Sequence, residues 1–171
     1  GEENRGWTYA KALLAHERTS IARIAKSTVK LSKIKEIASR EVGDDGEPLI
    51  NDPIFRRKLT EVEVDLEALR MTERRVVAAS QDGRDPGPES SIFKIRGTEI
   101  AQRIEELAVE VVGYDALPYV PVFEENEDRI SRDAFCAMWD YLNHRKTSIY
   151  GGSNEIQRNI ISKAVLGLKG N

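Results

Sequence analysis

Cysteine and histidine are scarce in this sequence of 171 residues. Cys136 is its one cysteine, and its two histidines are His16 and His144. A single thiol excludes an internal disulfide and a site built from several thiolates, and it fits a reducing compartment. Ser20 stands where a zinc-binding helix that begins at His16 needs its second histidine, so neither histidine has a partner at metal-binding spacing. We therefore expect no metal site and a cytoplasmic protein.

Long apolar runs and an excess of positive charge are also missing. No apolar stretch approaches the roughly 20 residues that cross a bilayer, so we expect no membrane span. The chain carries 26 Lys and Arg against 29 Asp and Glu, a net charge of −3, and we expect no nucleic-acid partner because that binding relies on a basic excess. The first residues, GEENRGW, contain neither an initiator methionine nor a signal-peptide pattern, and they predict a segment of a longer chain.

Glycine and proline, twelve and six in number, are few enough to leave long helical segments between them. Residues 43–53 and 80–91 collect Gly, Pro and Asp, which end one helix and begin the next. Apolar residues recur at three- and four-residue spacing between these breakers. The helices predicted from this spacing cover residues 7–40, 54–79, 92–112, 131–145 and 154–168. No segment alternates like a strand, so we predict an all-α domain, an up-and-down helical bundle of four to five helices.

Glu17 interrupts the apolar face of the first predicted helix. The rest of that face consists of Ala10, Leu13, Leu14, Ile21, Ile24 and Ala25. Apolar neighbours disfavour the charged form of a carboxylate, and a pKa raised toward neutrality suits a general base or acid. Glu17 is therefore a candidate catalytic residue. The alternative is an interface carboxylate that pairs with an arginine of a neighbouring helix.

A pair of glycines, Gly151 and Gly152, stands directly before the last predicted helix. Two glycines permit a tight turn, and the N–H groups at a helix start can bind an oxyanion or a carbonyl oxygen. The alternative is a plain turn without a ligand.

One side of the helix predicted over residues 131–145 is apolar. That side is formed by Phe135, Met138, Trp139 and Leu142. Cys136 lies among these residues, and a thiol needs an electropositive, exposed setting to be reactive. We therefore predict that Cys136 is a buried, inert thiol.

Residues 147–168, TSIYGGSNEIQRNIISKAVLGL, resemble the C-terminal signature of flavin-dependent acyl-CoA dehydrogenases. The resemblance extends over the whole chain. It includes GEENRGWTYAKALLAHERTSIA at the start, and also DPIFRRKLTEVEVDLEAL and KIRGTEIAQRIEELA, which are similar to bacterial pimeloyl-CoA dehydrogenase large subunits. It implies that residues 1–171 form the C-terminal helical domain of a longer chain, without its N-terminal helical and middle β domains. The isolated domain is then expected to be inactive.

The resemblance implies an activity and a cofactor. Acyl-CoA dehydrogenases use FAD to oxidise an acyl-CoA thioester to the trans-2-enoyl-CoA, and a carboxylate removes the α proton while the β hydride passes to flavin N5. Many members carry this carboxylate in the turn before the last helix, where the present chain has Gly151. Others carry it in a Glu-Arg pair on the first helix of the domain, which Glu17-Arg18 matches. The resemblance therefore implies that Glu17 is the catalytic base.

The resemblance also assigns roles around the turn. The backbone N–H of Gly151 binds the thioester carbonyl together with a flavin hydroxyl, a catalytic contact that stabilises developing negative charge without a side chain. The residues implied to bind substrate are Arg18, Tyr150 and Gly151. Those implied to bind FAD are Gly152, Ser153 and Glu155, the last in place of a common Gln. The implied partners are an acyl-CoA substrate, an electron-transferring flavoprotein, and another acyl-CoA dehydrogenase chain in a homo- or hetero-oligomer.

Two departures from the family pattern concern the flavin phosphates. An Arg followed by Phe-Gly is expected after the first helix but is not recognisable in REVGDDGEPLIND, residues 40–52. A Gln- and Gly-rich stretch is expected near residues 111–114, which read VVGY. These absences suit a heteromeric enzyme in which a partner chain supplies the phosphate contacts. The alternative is a non-catalytic structural subunit in which Glu17 pairs within an interface.

Overall fold

Helices form most of the regular structure in the computed structural model, which describes residues 1–10, 13, 22–81, 87–121, 125 and 130–168. The bounded helices are α1 (Ile24–Ala38), α2 (Pro53–Gln81), α3 (Glu89–Val112), α4 (Ala137–His144) and α5 (Asn154–Leu166). Residues 6–10 are also helical. Within the described ranges there is no β-strand, and none of these helices is long and apolar enough to cross a membrane. The prediction of an all-α helical fold is confirmed.

The breaker clusters place the middle helices well. Asp52 caps α2, because its Oδ1 atom accepts a hydrogen bond from the N–H of Phe55 at 2.6 Å. Pro53 opens the same helix, at the position where a missing N–H costs nothing. The helices predicted over residues 54–79 and 92–112 therefore correspond to α2 and α3, each with its start within three residues.

The single long helix predicted over residues 7–40 is wrong. Ala22 lies in a turn, Arg23 has a φ of +49°, and α1 begins only at Ile24. A left-handed residue cannot continue a right-handed helical ladder, so the backbone must break there. Neither glycine nor proline marks this position in the sequence, which is why periodicity alone missed it.

The chain divides into two compact units. The first comprises Gly1–Ile24, Glu67–Glu99 and Lys146–Asn171, and the second comprises Ala25–Leu66 and Ile100–Arg145. Apolar side chains fill the second, among them Leu31, Ile34, Phe55, Leu59, Val62, Ile100, Ile104 and Leu107. The first buries Leu69, Phe93 and Ile95 but also a set of polar side chains, Ser91, Lys94, Thr98, Asn154 and Gln157. A buried polar network of this kind fixes the side chains that take part in it, as a functional site requires.

Helix α4 leaves part of its apolar side exposed. Trp139 and Leu142, which lie on the apolar side read from the sequence, are 60% and 61% exposed. The inner face instead carries Asp140, which lies 2.9 Å from the Nζ atom of Lys30, and His144. Cys136 is exposed as well, so the prediction of a buried thiol is wrong. The inward side of this short helix thus combines the buried Ala137 with charged contacts.

The apolar face predicted for the first helix is also only partly buried. Of the described residues of that face, Ile24 is buried, whereas Leu13 is 71% exposed and Ala25 is exposed. The break at Arg23 changes the direction in which the following residues point, so a face drawn through it as one continuous helix does not persist.

Candidate functional site

A tight turn over residues 149–153 leads into α5 in the first unit. It follows a short 3₁₀ segment, Arg145–Ser148. The N–H groups of Ile149 and Tyr150 both donate to the carbonyl of Lys146, at 2.9 and 3.2 Å. These bonds bring the chain round by a full helical turn before the two glycines begin.

Gly151 and Gly152 both have left-handed backbone conformations, with φ of +68° and +84°. Side chains are strained in this region, and a Cβ at Gly152 would in addition lie 2.6 Å from the Nε2 atom of Gln157. Within the part of the chain that the structure describes, neither glycine N–H donates a hydrogen bond. Among the described residues, the turn thus presents two unpaired donors.

Ser153 begins α5 as its N-cap, with φ −60° and ψ 156°. Its hydroxyl oxygen accepts a hydrogen bond from the N–H of Ile156 at 3.4 Å, and its carbonyl accepts from the N–H of Gln157 at 3.0 Å. The positive end of the α5 dipole therefore coincides with the unpaired glycine donors, and both favour a negatively charged or electron-rich oxygen at the turn.

A buried lysine lies behind the turn. The Nζ atom of Lys94 in α3 donates to the carbonyl of Ser148 at 2.9 Å and to the Oδ1 atom of Asn154 at 2.8 Å. Lys94 is 0% exposed. The side chains of Asn154 and Thr98 are also in hydrogen-bond contact, at 3.3 Å. Residues on both sides of the turn are thereby attached to α3.

Gln157 makes a second attachment from α5. Its Nε2 atom donates to the carbonyl of Gly152 at 3.4 Å, and its Oε1 atom accepts from the hydroxyl of Ser91 at 2.9 Å. Gln157 and Ser91 are both fully buried. The carbonyl of the second glycine is thus held by Gln157, while its N–H has no partner in the described part of the chain.

Two titratable side chains respond to this environment. Burial lowers the pKa of Lys94, and the negative charge of Glu155 acts against that shift. The pKa of Glu155 is lowered, first by a hydrogen bond from its own backbone N–H and next by one from the Ser153 hydroxyl, with Arg158 and Lys94 adding to the effect. Glu155 is therefore an ionised, exposed carboxylate beside the turn at neutral pH.

The turn brings together five of the residues expected from the sequence to form a site. These are Tyr150, Gly151, Gly152, Ser153 and Glu155. Glu17 and Arg18 lie outside the described residues, so the predicted base and its neighbour stay predictions. The described residues contain no group of three or more His, Cys, Asp or Glu side chains that could hold a metal ion.

Three residues that hold the turn, Lys94, Asn154 and Gln157, were not predicted from the sequence. A signal was present, because Ser91, Lys94 and Thr98 recur at helical spacing and form a polar stripe on one side of α3. Asn154 and Gln157, three residues apart, face that stripe from the start of α5. Two polar stripes on separate predicted helices indicate a buried hydrogen-bond network.

Comparisons with known proteins show the family to which this chain belongs. Residues 4–166 match the family described as acyl-CoA dehydrogenase, C-terminal domain. The acyl-CoA dehydrogenase IpdE1 of Mycobacterium tuberculosis is 32% identical over 176 residues, which cover 98% of this chain and 40% of that protein. The chain therefore spans about two fifths of the length of the curated relatives it matches.

Solved structures show the same fold. The ChsE4–ChsE5 complex from Mycobacterium tuberculosis matches with a TM-score of 0.78 and 27% identity, over 100% of this chain and 42% of that chain. Butyryl-CoA dehydrogenase from Megasphaera elsdenii matches with a TM-score of 0.77 and 22% identity, over 97% of this chain and 40% of that one, and supports the fold alone. The chain belongs to the acyl-CoA dehydrogenase family, through the C-terminal helical domain of that family.

Proposed function

We propose that the whole protein, with this chain as its C-terminal helical domain, oxidises an acyl-CoA thioester to a trans-2-enoyl-CoA with FAD. The observation that carries the proposal is the turn before α5, where Gly151 and Gly152 present N–H groups unpaired within the described residues. A thioester carbonyl is the group that such donors suit, because negative charge develops on its oxygen when the α proton leaves.

Gly151 supplies the donor to the thioester oxygen in this proposal. A hydrogen bond that strengthens as the enolate forms lowers the pKa of the α proton, an effect commonly worth several kcal/mol in the transition state. Gly151 has no side chain, so the base must come from elsewhere. Glu17 is proposed as that base, with Arg18 and Tyr150 beside the acyl-CoA.

The described residues fit FAD at the edge of the same turn. FAD, when bound, accepts the hydride from the β carbon. Gly152 offers an N–H that is unpaired among the described residues, and the Ser153 hydroxyl keeps acceptor capacity beyond its bond to Ile156. Glu155 stays ionised and can only accept hydrogen bonds, so it suits an N–H of the flavin ring and not a phosphate.

We further propose that a second acyl-CoA dehydrogenase chain completes the flavin site. Arg40, the arginine of the segment where phosphate contacts are expected, is engaged by Asp133 at 2.7 Å and lies near Glu36 at 3.7 Å. A guanidinium neutralised in this way is a poor phosphate ligand. Hetero-oligomerisation and electron transfer to an electron-transferring flavoprotein, in the cytoplasm, belong to the same proposal.

The test uses the full-length protein, co-expressed with any adjacent paralogue and loaded with FAD. Acyl-CoA is added anaerobically to wild type, to Glu17→Gln and to Glu73→Gln, a control carboxylate on α2. We expect the flavin absorbance to bleach in wild type and control, and about 10²–10⁴-fold more slowly in Glu17→Gln, because a general base contributes that much.

Equal bleaching in all three proteins would place the base on another residue or chain. This result favours the second candidate function, a non-catalytic structural subunit of a heteromeric acyl-CoA dehydrogenase. Flavin stoichiometry provides an independent check on the assembly. A full-length chain that purifies alone with one flavin per protomer contradicts the shared flavin site.

A further inference from the structure

Two charged side chains are buried in the described part of the chain, Lys94 and Glu105. They differ in their surroundings. Glu105 faces the ammonium of Lys30 and the ring of His144. Lys94 has no carboxylate at ion-pair distance among the described residues, and its hydrogen-bond partners are the neutral oxygens of Ser148 and Asn154. A buried ammonium whose described hydrogen-bond partners are all neutral is costly, even with the charge of Glu155 nearby, so its presence requires a reason.

The position of Lys94 adds to that cost. The N-terminus of α5 carries the positive end of the helix dipole, which disfavours a nearby cation. Asn154, one of the two Lys94 partners, is the first residue of that helix. A cation at this end of a helix suits a site where negative charge is bound or develops. The N–H groups of Gly151 and Gly152, unpaired within the described residues, favour negative charge at the same place.

The geometry of the contacts shows what Lys94 holds. Ser148 precedes the turn and Asn154 follows it, so one ammonium group connects the two ends of residues 149–153. Thr98, one helical turn along α3, contacts the same Asn154 side chain at 3.3 Å. Contacts from α3 therefore hold the residues on both sides of the glycine pair.

We propose that Lys94 is the positioning residue of this turn, tying the Ser148 carbonyl to the Asn154 side chain and thereby directing the Gly151 N–H toward the thioester oxygen. The inference rests on the proposed function for its catalytic consequence. Its structural part, the fixing of the turn, is independent of that function. Lys94 itself makes no hydrogen bond to the turn glycines among the described residues.

The experiment compares Lys94→Met with Lys30→Met in the full-length, FAD-loaded protein together with any partner chain. Lys30→Met is the matched control, because it also removes an ammonium from a buried polar contact, but in the second unit. The first readout is hydrogen exchange at the amides of Ile149 and Tyr150, which both donate to Lys146. We expect at least about tenfold faster exchange in Lys94→Met and near wild-type exchange in the control.

The second readout separates kcat from KM with an acyl-CoA substrate. A donor displaced by about 1 Å costs on the order of 100-fold in rate, so kcat should fall by about that factor in Lys94→Met. KM should change much less, because an oxyanion donor acts mainly as charge develops. Unchanged exchange at Ile149 and Tyr150, or equal losses in Lys30→Met, would overturn the proposal.

A variant of Asn154, the hydrogen-bond partner of Lys94, covers the case in which Lys94→Met does not fold. Asn154→Ala removes one acceptor of Lys94 and should also speed exchange at Ile149 and Tyr150. Where both single variants fold, the double variant should cost less than the sum of the two, and simple additivity would overturn the coupling. A wild-type protein that oxidises no acyl-CoA sinks the proposed function, whereas the exchange data still decide the role of Lys94.

Discussion

Gly152 is restricted by both its backbone and its neighbours. Its φ of +84° strains any other residue, and a Cβ would lie 2.6 Å from Nε2 of the fully buried Gln157. Gly46 has the same φ, +84°, but open space where its Cβ would be. Substitutions at the two glycines therefore separate the free-energy cost of a left-handed backbone from the cost of the contact with Gln157.

Alanine at these two positions should destabilise the protein unequally. Gly46→Ala should lower the free energy of unfolding by about 1–2 kcal/mol, the cost of a left-handed L-residue. Gly152→Ala should lower it by roughly a further 1–3 kcal/mol, because Gln157 must give up its bonds to Ser91 and Gly152. Urea denaturation measures both values. Equal losses would mean that Gln157 moves aside freely.

Glu155 should make stability depend on acidic pH. Its pKa is lowered in the folded protein from the ordinary value of 4.5, first by its own backbone N–H and then by Ser153. The stabilising contribution is therefore present above pH 4.5 and is lost as the pH falls through the lower folded pKa. The stability difference between wild type and Glu155→Gln, followed by urea denaturation, should shrink from pH 6 to pH 3. A difference that stays constant over this range refutes the assignment.

At the scale of helices, Gly97 allows α3 to approach the turn at Ala22. A Cβ at Gly97 would lie 2.5 Å from the Cα atom and 2.9 Å from the carbonyl oxygen of Ala22. Backbone atoms cannot rotate out of the way as a side chain can. The backbone break at Arg23 and the glycine at position 97 therefore belong to one packing arrangement in the first unit.

Gly97→Ala should destabilise the protein even though it improves helix propensity. Alanine favours a helix interior over glycine by about 1 kcal/mol, whereas forcing α3 away from Ala22 should cost several times more, as overpacking of a close contact does. Gly6→Ala is the control, since Gly6 is helical with no atom within 4 Å of its Cβ position. Thermal denaturation should show a lower Tm for Gly97→Ala and an equal or higher Tm for Gly6→Ala. A stabilised Gly97→Ala protein would contradict the close approach.

Local sequence signals predicted some elements and not others. Pro53 and the glycine-rich segment before α5 are local punctuation, so α2 and α5 could be placed from the sequence. The break at Arg23 follows Ala22, which lies against Gly97 from a distant part of the chain, and no local pattern encodes this contact. The contacts of α4 likewise involve distant charges, and the prediction of a buried Cys136 was wrong.

At the scale of the whole molecule, charged contacts join residues that are distant in sequence. In the second unit, Lys30 of α1 contacts both Glu105 of α3 and Asp140 of α4. His144, at the end of α4, lies with its Nδ1 atom 3.0 Å from the same Glu105 carboxylate. One buried carboxylate thus organises the charged contacts of three helices.

Removing Lys30 should cost more than a surface ion pair does. Lys30→Met leaves the buried Glu105 without its ammonium and should lower the free energy of unfolding by about 3 kcal/mol. The double variant Lys30→Met/Glu105→Leu should recover much of that loss, because no uncompensated charge stays buried. Arg57 and Glu61 form an exposed ion pair at 3.9 Å, so Arg57→Met should change the free energy of unfolding by less than about 1 kcal/mol. Equal losses in Lys30→Met and Arg57→Met would exclude this burial argument.

The candidate site was predictable where its residues lie together in sequence. Tyr150 to Glu155 form one segment, so the resemblance and the glycine pair located the turn correctly. Lys94 belongs to another helix and bonds to the turn only after folding, which is why it was missed. Glu17 lies outside the described residues and stays a prediction.

Cys136 has a practical consequence for spectroscopy. It is the one cysteine of these 171 residues, it is exposed, and it directly precedes α4. Partial desolvation and the charge of Asp140 raise the pKa of its thiol, so labelling with a maleimide dye needs mildly alkaline buffer. A dye there sits three residues from the exposed indole of Trp139, a natural quencher. Its fluorescence lifetime would report in real time whether the first turn of α4 forms, without any engineered residue.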